Sequence, residues 1–128
     1  MTASTIPWKR AGEAHLPRPL VDAARQATTA TFGAIHGVAP TYLGEGQEGT
    51  PCDGVIGIIS FVGDHLWSVM LGVPRQSAPG FALSFAGLEV EFDSADMGDV
   101  VGELTNVLAG DISARLDAVG IRAEMSLP

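Results

Sequence analysis

The sequence predicts an α/β fold of the α+β type, in which a mainly antiparallel sheet carries helices packed on one face. Two observations indicate this class. Two apolar runs flank the turn pair Gly63-Asp64, which is typical of a β-hairpin. Two longer segments, one before the hairpin and one after it, repeat apolar residues at the three-to-four spacing of a helix.

The composition limits the chain to one domain and excludes several functions. It has 128 residues, of which 46% are hydrophobic and 17% charged, so it can bury a core. Seven Lys and Arg stand against 15 Asp and Glu, giving a net charge of -8. Nucleic-acid and anionic-membrane binding need clustered positive charge, and Lys9-Arg10 is the only adjacent basic pair. We therefore expect neither kind of partner.

Cysteine usage and hydropathy favour the cytoplasm. Cys52 is the only cysteine, so an internal disulfide cannot form and a reducing compartment is the simpler interpretation. Residues 1–17 lack the apolar core of a signal peptide. The longest apolar run, residues 54–63, is about ten residues long and too short to span a bilayer.

The first half of the chain divides into an arm, a helix and a hairpin. Residues 1–18 are polar and contain two prolines, which predicts a flexible arm. A helix is predicted over residues 20–37, and Pro40 then favours an extended stretch at residues 41–43. The hairpin follows, with strands at residues 54–62 and 65–73.

The second half is mainly helical. Ser77 is a candidate N-cap for a short helix that runs to Ala86. The longest helix is predicted over residues 95–118, and residues 121–127 alternate as a final strand. The predicted order is therefore α, β, β, β, α, α, β, with residues 19–128 as one domain.

The helix at residues 95–118 has two unlike faces. Its predicted core face is a wide apolar stripe of Met97, Val100, Val101, Leu104, Val107, Leu108, Ile112, Leu116 and Val119. Its predicted exposed face is a band of about 80° with Asp99, Glu103, Asn106, Gly110, Ser113 and Asp117. Glu103 and Asn106 are neighbours one turn apart on that exposed face.

These two side chains offer complementary chemistry. The Glu103 carboxylate can pair with a cation on a partner, and the Asn106 amide can hold a water molecule through both a donor and an acceptor. Gly110 lies one turn further and leaves room for a partner backbone. A Glu and an Asn on a polar helix face are also ordinary solvated surface, so the pattern alone leaves both interpretations open.

The helix resembles the signature of the CheX and CheC group of chemotaxis phosphatases. That family carries Glu-x-x-Asn followed by a small residue and glycine, and the chain reads Gly102-Glu103-Leu104-Thr105-Asn106, then Ala109-Gly110. The resemblance extends over residues 19–128, through the first helix, the hairpin and the ending Met125-Ser126-Leu127-Pro128. The pattern is absent from the first helix, so the chain is similar to the single-site, CheX-like type.

The resemblance implies a phosphatase for the aspartyl phosphate of a CheY-like receiver domain in two-component signalling. Glu103 and Asn106 would be the catalytic residues, with Glu103 pairing with a receiver lysine and Asn106 orienting the attacking water. Gly110 and Asp99 would contribute to docking. The chain would hold no metal or cofactor of its own, and the Mg²⁺ would belong to the receiver.

The resemblance leaves alternatives open. The same fold could serve as a receiver-binding or dimerisation module without catalysis, and a homodimer is a further expected partner. Members of the family continue beyond the Leu-Pro, whereas this chain ends at Pro128, so we expect a C-terminally shortened version of the fold. His36, His65 and Cys52 have no spacing typical of a metal or nucleophile site, and we expect structural roles for them.

Overall fold

A computed structural model describes residues 16–44, 46 and 52–126 of the chain. Within them, three helices and three strands follow one another in the order α1 (Arg18–His36), β1 (Gly54–Gly63), β2 (Trp67–Pro74), α2 (Ala78–Ala86), α3 (Ala95–Ala118) and β3 (Ala123–Ser126). The strands form one antiparallel sheet in the order β2-β1-β3. The predicted arm (residues 1–15), most of the polar loop (residues 45 and 47–51) and residues 127–128 lie outside the described residues.

The two faces of the sheet differ in burial. One face carries the buried side chains of Ile59, Phe61 and Val73, and the indole of Trp67 stacks on Phe61 with ring centroids 4.7 Å apart. The other face exposes Ile56, which is 50% exposed, and Met70, which is 70% exposed. All helices therefore pack on the same side of the sheet, as the sequence predicted.

Helix α3 lies centrally and divides the core into two clusters. Its first half packs with β2 and α2 in a cluster of Val73, Ala78, Ala82, Met97 and Val101. Its second half packs with α1 and the sheet in a cluster of Leu20, Ala23, Ala27, Ile59, Phe61, Leu108, Ala109, Ile112, Leu116 and Ala123. Each large apolar side chain buried in this way contributes about 1.5–3 kcal/mol. Burial of its inner stripe therefore fixes which face of α3 remains outside.

Glycines set the ends of two elements. Gly37 adopts φ 77° and its amide donates to the Gly33 carbonyl at 2.8 Å, which closes α1. Gly63 adopts φ 136° at the hairpin turn, where a side chain would overlap the carbonyl of Arg122. Both positions require the conformational freedom of glycine.

One predicted strand is wrong. Residues 41–43 form no strand in the part of the chain that the structure describes. Tyr42 instead lies against α1, with the guanidinium of Arg25 placed 3.9 Å from the centre of its ring. A cation–π contact therefore holds the segment on α1 where the sequence indicated sheet pairing.

The other boundaries differ by a few residues. Helix α1 begins at Arg18, two residues before the predicted start, because Pro19 fits the first turn of a helix and Pro17 stands just before it as the N-cap residue. Strand β3 covers Ala123–Ser126 and begins two residues after the predicted start, and residue 127 lies outside the described residues. No helix among the described residues has the length and hydropathy needed to cross a membrane.

Candidate functional site

The exposed face of α3 carries the polar side chains singled out in the sequence. Asp99, Glu103 and Asn106 are exposed and Gly110 is half-buried. At a rise of about 1.5 Å per residue, Glu103 and Asn106 are about 4.5 Å apart along the axis, and Asp99 and Gly110 about 16 Å. The structure thus brings the four predicted site residues into one strip along the outside of the helix.

The opposite side of the same turn is fully buried. Leu104 is 0% exposed and Thr105 is 2% exposed. The Thr105 hydroxyl donates to the Val101 carbonyl at 2.6 Å, so this buried polar group is satisfied within the helix. Glu103 and Asn106 therefore project from a turn whose inner side is held against the sheet.

The electrostatics of the outer strip are simple. Among the described residues, neither Asp99 nor Glu103 takes part in an ion pair. The ion pair formed within α3 joins Arg115 to Asp111 at 3.1 Å and lies beyond Gly110. The carboxylates near Asn106 are therefore open to a cationic group on another molecule.

Gly110 leaves the helix backbone accessible. A Cβ atom added at this position would have no atom of the described chain within 4 Å. The same holds for Gly102, next to Glu103. Glycine in the middle of a helix costs roughly 0.5–1 kcal/mol relative to alanine, and no packing among the described residues requires it here. The exposed strip therefore combines one amide and two carboxylates with open backbone.

Two residues assigned to the core face are exposed, and one assigned to the polar face is bonded. Val107 is 48% exposed and Val119 is 66% exposed, so their predicted burial is wrong. Ser113 does not face outwards freely, because its hydroxyl donates to the Ala123 carbonyl of β3. Thr105 and Ala109 are buried instead.

The exposure of Val107 adds an apolar contact next to Asn106. The sequence does not distinguish this residue from the core, because an apolar side chain beside the stripe has the pattern of a stripe residue. Its position at the margin of the stripe was the available signal. A partner that meets Asn106 also meets an isopropyl group, whose burial would contribute to binding.

The remaining candidate residues lie elsewhere. His36 contacts Phe81, with ring centroids 5.0 Å apart, and packs there as a structural residue. His65 and Cys52 are exposed, and His15 lies outside the described residues. In the described ranges, no group of three or more His, Cys, Asp and Glu side chains has an arrangement that could hold a metal ion.

The predicted site lies on a convex surface, away from the groove beside α1. A groove of about 790 Å³ lies between α1 and residues 40–43, and no residue of α3 lines it. The polar strip is instead on a convex helix surface, whereas sites for small molecules are concave. Fold and site together define the class: an α+β protein with a polar, exposed face on its longest helix.

The chain belongs to the CheX family of chemotaxis phosphatases. The sequence model of that family, described as chemotaxis phosphatase CheX, matches residues 55–128, which is more than half of the chain and includes all of α3. The family and the phosphatase class that the sequence predicted are thereby confirmed. No curated protein sequence matches the chain.

Solved structures of low sequence identity share the fold. A CheC-like superfamily protein from Shewanella sp. PV-4 is 18% identical, with a TM-score of 0.74, over 87% of this chain and 74% of that one. The chemotaxis protein CheX from Desulfovibrio desulfuricans is 20% identical, with a TM-score of 0.70, over 84% and 73% of the two chains.

A third relative was solved with a partner. The CheX-CheY-BeF3-Mg²⁺ complex from Borrelia burgdorferi contains a chain 21% identical to this one, with a TM-score of 0.62, over 84% of this chain and 70% of that one. These likenesses confirm the predicted α+β class with a CheX/CheC-like arrangement.

Proposed function

We propose that this chain accelerates hydrolysis of the aspartyl phosphate on a CheY-like receiver domain, with Glu103 and Asn106 as the residues that act. The observation that carries the proposal is the exposed, adjacent placement of these two side chains on a helix within the region matched by the family. The Borrelia burgdorferi complex supports the class of partner, since it contains CheX with CheY and BeF3, a chemical mimic of a phosphoryl group.

Asn106 would orient the attacking water. Its amide oxygen accepts from the water and its NH₂ group donates to a phosphoryl oxygen, which aligns the water with the phosphorus. The water oxygen forms a bond to phosphorus while the bond from phosphorus to the aspartyl oxygen breaks. The receiver recovers its carboxylate, and the water protons leave with inorganic phosphate. Positioning of this kind supplies most of the catalysis in phosphoryl transfer.

Glu103 would secure the docked state. Its carboxylate is exposed and, within the described residues, free of intramolecular ion pairs, so it can pair with a lysine of the receiver. Asp99 extends the negative strip by one turn, and Gly110 admits the receiver backbone. A Mg²⁺ ion held by the receiver would neutralise the charge that develops on the phosphoryl oxygens.

The wider setting follows from the partner. Receivers of two-component systems act in the cytoplasm, and we propose the same location for this chain. We further propose that residues 19–128 form the phosphatase domain and that residues 1–18 serve as an arm that the reaction does not need.

The test is phosphate loss from a CheY receiver that has been phosphorylated with phosphoramidate in the presence of Mg²⁺. The wild-type chain is expected to accelerate the loss, and Asn106→Ala to lower that acceleration by about 10²-fold, as loss of one preorganised polar group does. Receiver affinity should change little. Asp117→Ala is the matched control, because Asp117 lies on the same helix face, three turns beyond Asn106.

Equal rates of phosphate loss with the wild type and with Asn106→Ala would show that Asn106 takes no part in the reaction. A wild-type chain that binds the receiver without accelerating phosphate loss would make it a binding module of the same fold. A chain that binds no receiver at all would leave dimerisation as the remaining role of the domain.

A further inference from the structure

Helix α3 is in tight contact with the sheet at the turn that carries Glu103 and Asn106. Thr105 lies on the inner side of that turn and packs directly over Gly57 of β1. A Cβ atom on Gly57 would overlap the Thr105 hydroxyl oxygen and would stand 2.9 Å from the Thr105 Cβ. Thr105 therefore occupies the space that a side chain at position 57 would need.

This contact lies between two anchored parts of the helix. Upstream, Met97 and Val101 are buried in the cluster formed with α2 and β2. Downstream, Ile112 is buried in the other cluster, and Ser113 is bonded to the Ala123 carbonyl of β3. Thr105 lies between these two parts of the helix, next to the fully buried Leu104. The contact of Thr105 with Gly57 thus sets the distance between α3 and the sheet at the turn between these two buried parts of the helix.

We infer that Gly57 is a positioning residue for the phosphatase reaction, acting through Thr105 on the placement of Asn106. The inference rests on the proposed function. Rotation of Thr105 about its χ1 bond would not relieve a side chain at position 57, because the Cβ atom stays 2.9 Å from the new Cβ. Ordinary contact requires at least about 0.5 Å more, which only movement of the backbone can provide.

Such a movement alters the reaction geometry. With both ends of α3 held, displacement of the Thr105 turn bends the helix where Asn106 projects. The water that Asn106 holds must lie in line with the phosphorus, and a shift of about 1 Å in such an arrangement can cost 10²-fold in rate. Docking involves the long strip from Asp99 to Gly110, which a local bend changes far less. Gly57 should consequently affect turnover more than affinity.

The test compares Gly57→Ala with the double variant Gly57→Ala/Thr105→Gly, in which the space vacated at position 105 receives the added methyl group. Phosphate loss from a phosphoramidate-treated CheY receiver is followed at saturating concentrations of each variant, and receiver affinity is measured separately. We expect Gly57→Ala to lower the saturated rate at least about tenfold. Its affinity should stay within about threefold of the wild type, and the double variant should recover the rate of Thr105→Gly alone.

Gly72→Ala is the matched control for an added methyl group in the sheet. Gly72 pairs with Ile56 across β1 and β2, and its added Cβ would meet only the sulfur of the exposed Cys52, at 3.1 Å, and the Cys52 Cβ, at 3.9 Å. This variant should keep at least about half of the wild-type rate, because the changed atom lies on the sheet face opposite α3.

Each outcome decides the question. A folded Gly57→Ala variant with the wild-type saturated rate overturns the inference. If Gly57→Ala does not fold, the double variant provides the test. The inference is also overturned if the double variant is slow or unfolded while Thr105→Gly alone is active. A wild-type chain that leaves receiver phosphate loss unchanged defeats the proposed function itself, which separates the two failures.

Discussion

At the scale of single residues, Glu103 and Asn106 differ in what their removal should change. Both are exposed, and Glu103 contributes charge whereas Asn106 contributes a pair of hydrogen-bonding groups. Charge acts over several ångströms and governs docking, while an amide acts only on an atom that it touches. Removal of Glu103 should therefore lower mainly the affinity for the receiver, whereas removal of Asn106 should lower mainly the turnover rate.

Replacing Glu103 by Gln tests whether the charge of Glu103 contributes to receiver affinity. The change keeps the shape and removes the charge, so an ion pair to a receiver lysine becomes a neutral contact. We expect receiver affinity to fall about three- to tenfold, the equivalent of about 0.6–1.4 kcal/mol, with the saturated rate within about twofold of the wild type. Titration of the phosphorylated receiver gives both values.

Glu124→Gln is the control for this variant, since Glu124 is exposed on β3, away from α3. It should leave affinity unchanged. An affinity of Glu103→Gln equal to that of the wild type would contradict the pairing with a lysine.

The sequence predicted the exposed residues of α3 better than the buried ones. A helical wheel places Glu103 and Asn106 outside because the large apolar side chains leave no other direction. It assigned Val107 to the core, although α1 and the sheet do not extend far enough round the helix to cover it. Burial of Thr105 depends on Gly57, which is distant in the sequence, so no local pattern could reveal it.

At the scale of elements, α3 combines the proposed docking strip with a structural core in one helix. At Gly110 no side chain covers the helix backbone, so another molecule can come closest to the helix at this point of the strip. Leaving this position without a side chain costs helix stability and gains no contact within the described chain. Under the proposed function, a close approach by the receiver accounts for this glycine.

Gly110→Leu should block that approach. The leucine side chain meets no described atom within 4 Å of its Cβ, so the fold should be retained and the helix slightly favoured. We expect receiver affinity to fall at least about tenfold, because the added side chain fills space that the partner needs. Binding of the phosphorylated receiver, with thermal unfolding of the variant, measures both effects.

Gly98→Leu provides the matched comparison. Gly98 is an exposed glycine of the same helix, also with no atom within 4 Å of an added Cβ, but it does not lie on the strip. Its affinity should remain within about twofold of the wild type. Equal loss of affinity in both variants would indicate a general effect on α3 and would exclude a specific approach at Gly110.

The elements themselves were largely predictable, and the exception has a physical reason. The bounds of α3 agree with the predicted residues 95–118, because a long stripe with a capping region at each end is a strong local signal. Residues 41–43 contain a threonine and a tyrosine, which favour strands in general. Their actual contact is the cation–π pair of Arg25 and Tyr42, a tertiary interaction that overrides the propensity.

At the scale of the whole molecule, the fold separates binding from packing. The sheet supports α3 from one side, α1 and α2 flank it, and the acidic strip faces outwards. The hairpin pattern predicted a sheet covered on one face. It could not predict which face, because Ile56 and Ile58 on the exposed side are as apolar as Ile59 on the buried side.

Under the proposed function, we expect the strip and the total charge of the chain both to influence how the receiver is approached. A net charge of -8 attracts a basic surface at long range, and Asp99 and Glu103 supply negative charge where contact is made. Salt screens charges separated by more than about 8 Å at physiological ionic strength, so it weakens the long-range part first. Receiver affinity should therefore fall several-fold when NaCl is raised from about 0.05 to 0.5 M.

Two double variants distinguish the strip from the total charge. Asp99→Asn/Glu103→Gln and Glu89→Gln/Glu124→Gln each remove two negative charges, the first on the strip and the second at exposed positions outside α3. If contact charges dominate, the first variant should lose most of the salt dependence and the second should keep it. An equal reduction of the salt dependence in both variants would indicate that the net charge alone causes it. A wild-type affinity that does not change with salt would contradict docking through the acidic strip, because an exposed ion pair at an interface is always weakened by screening.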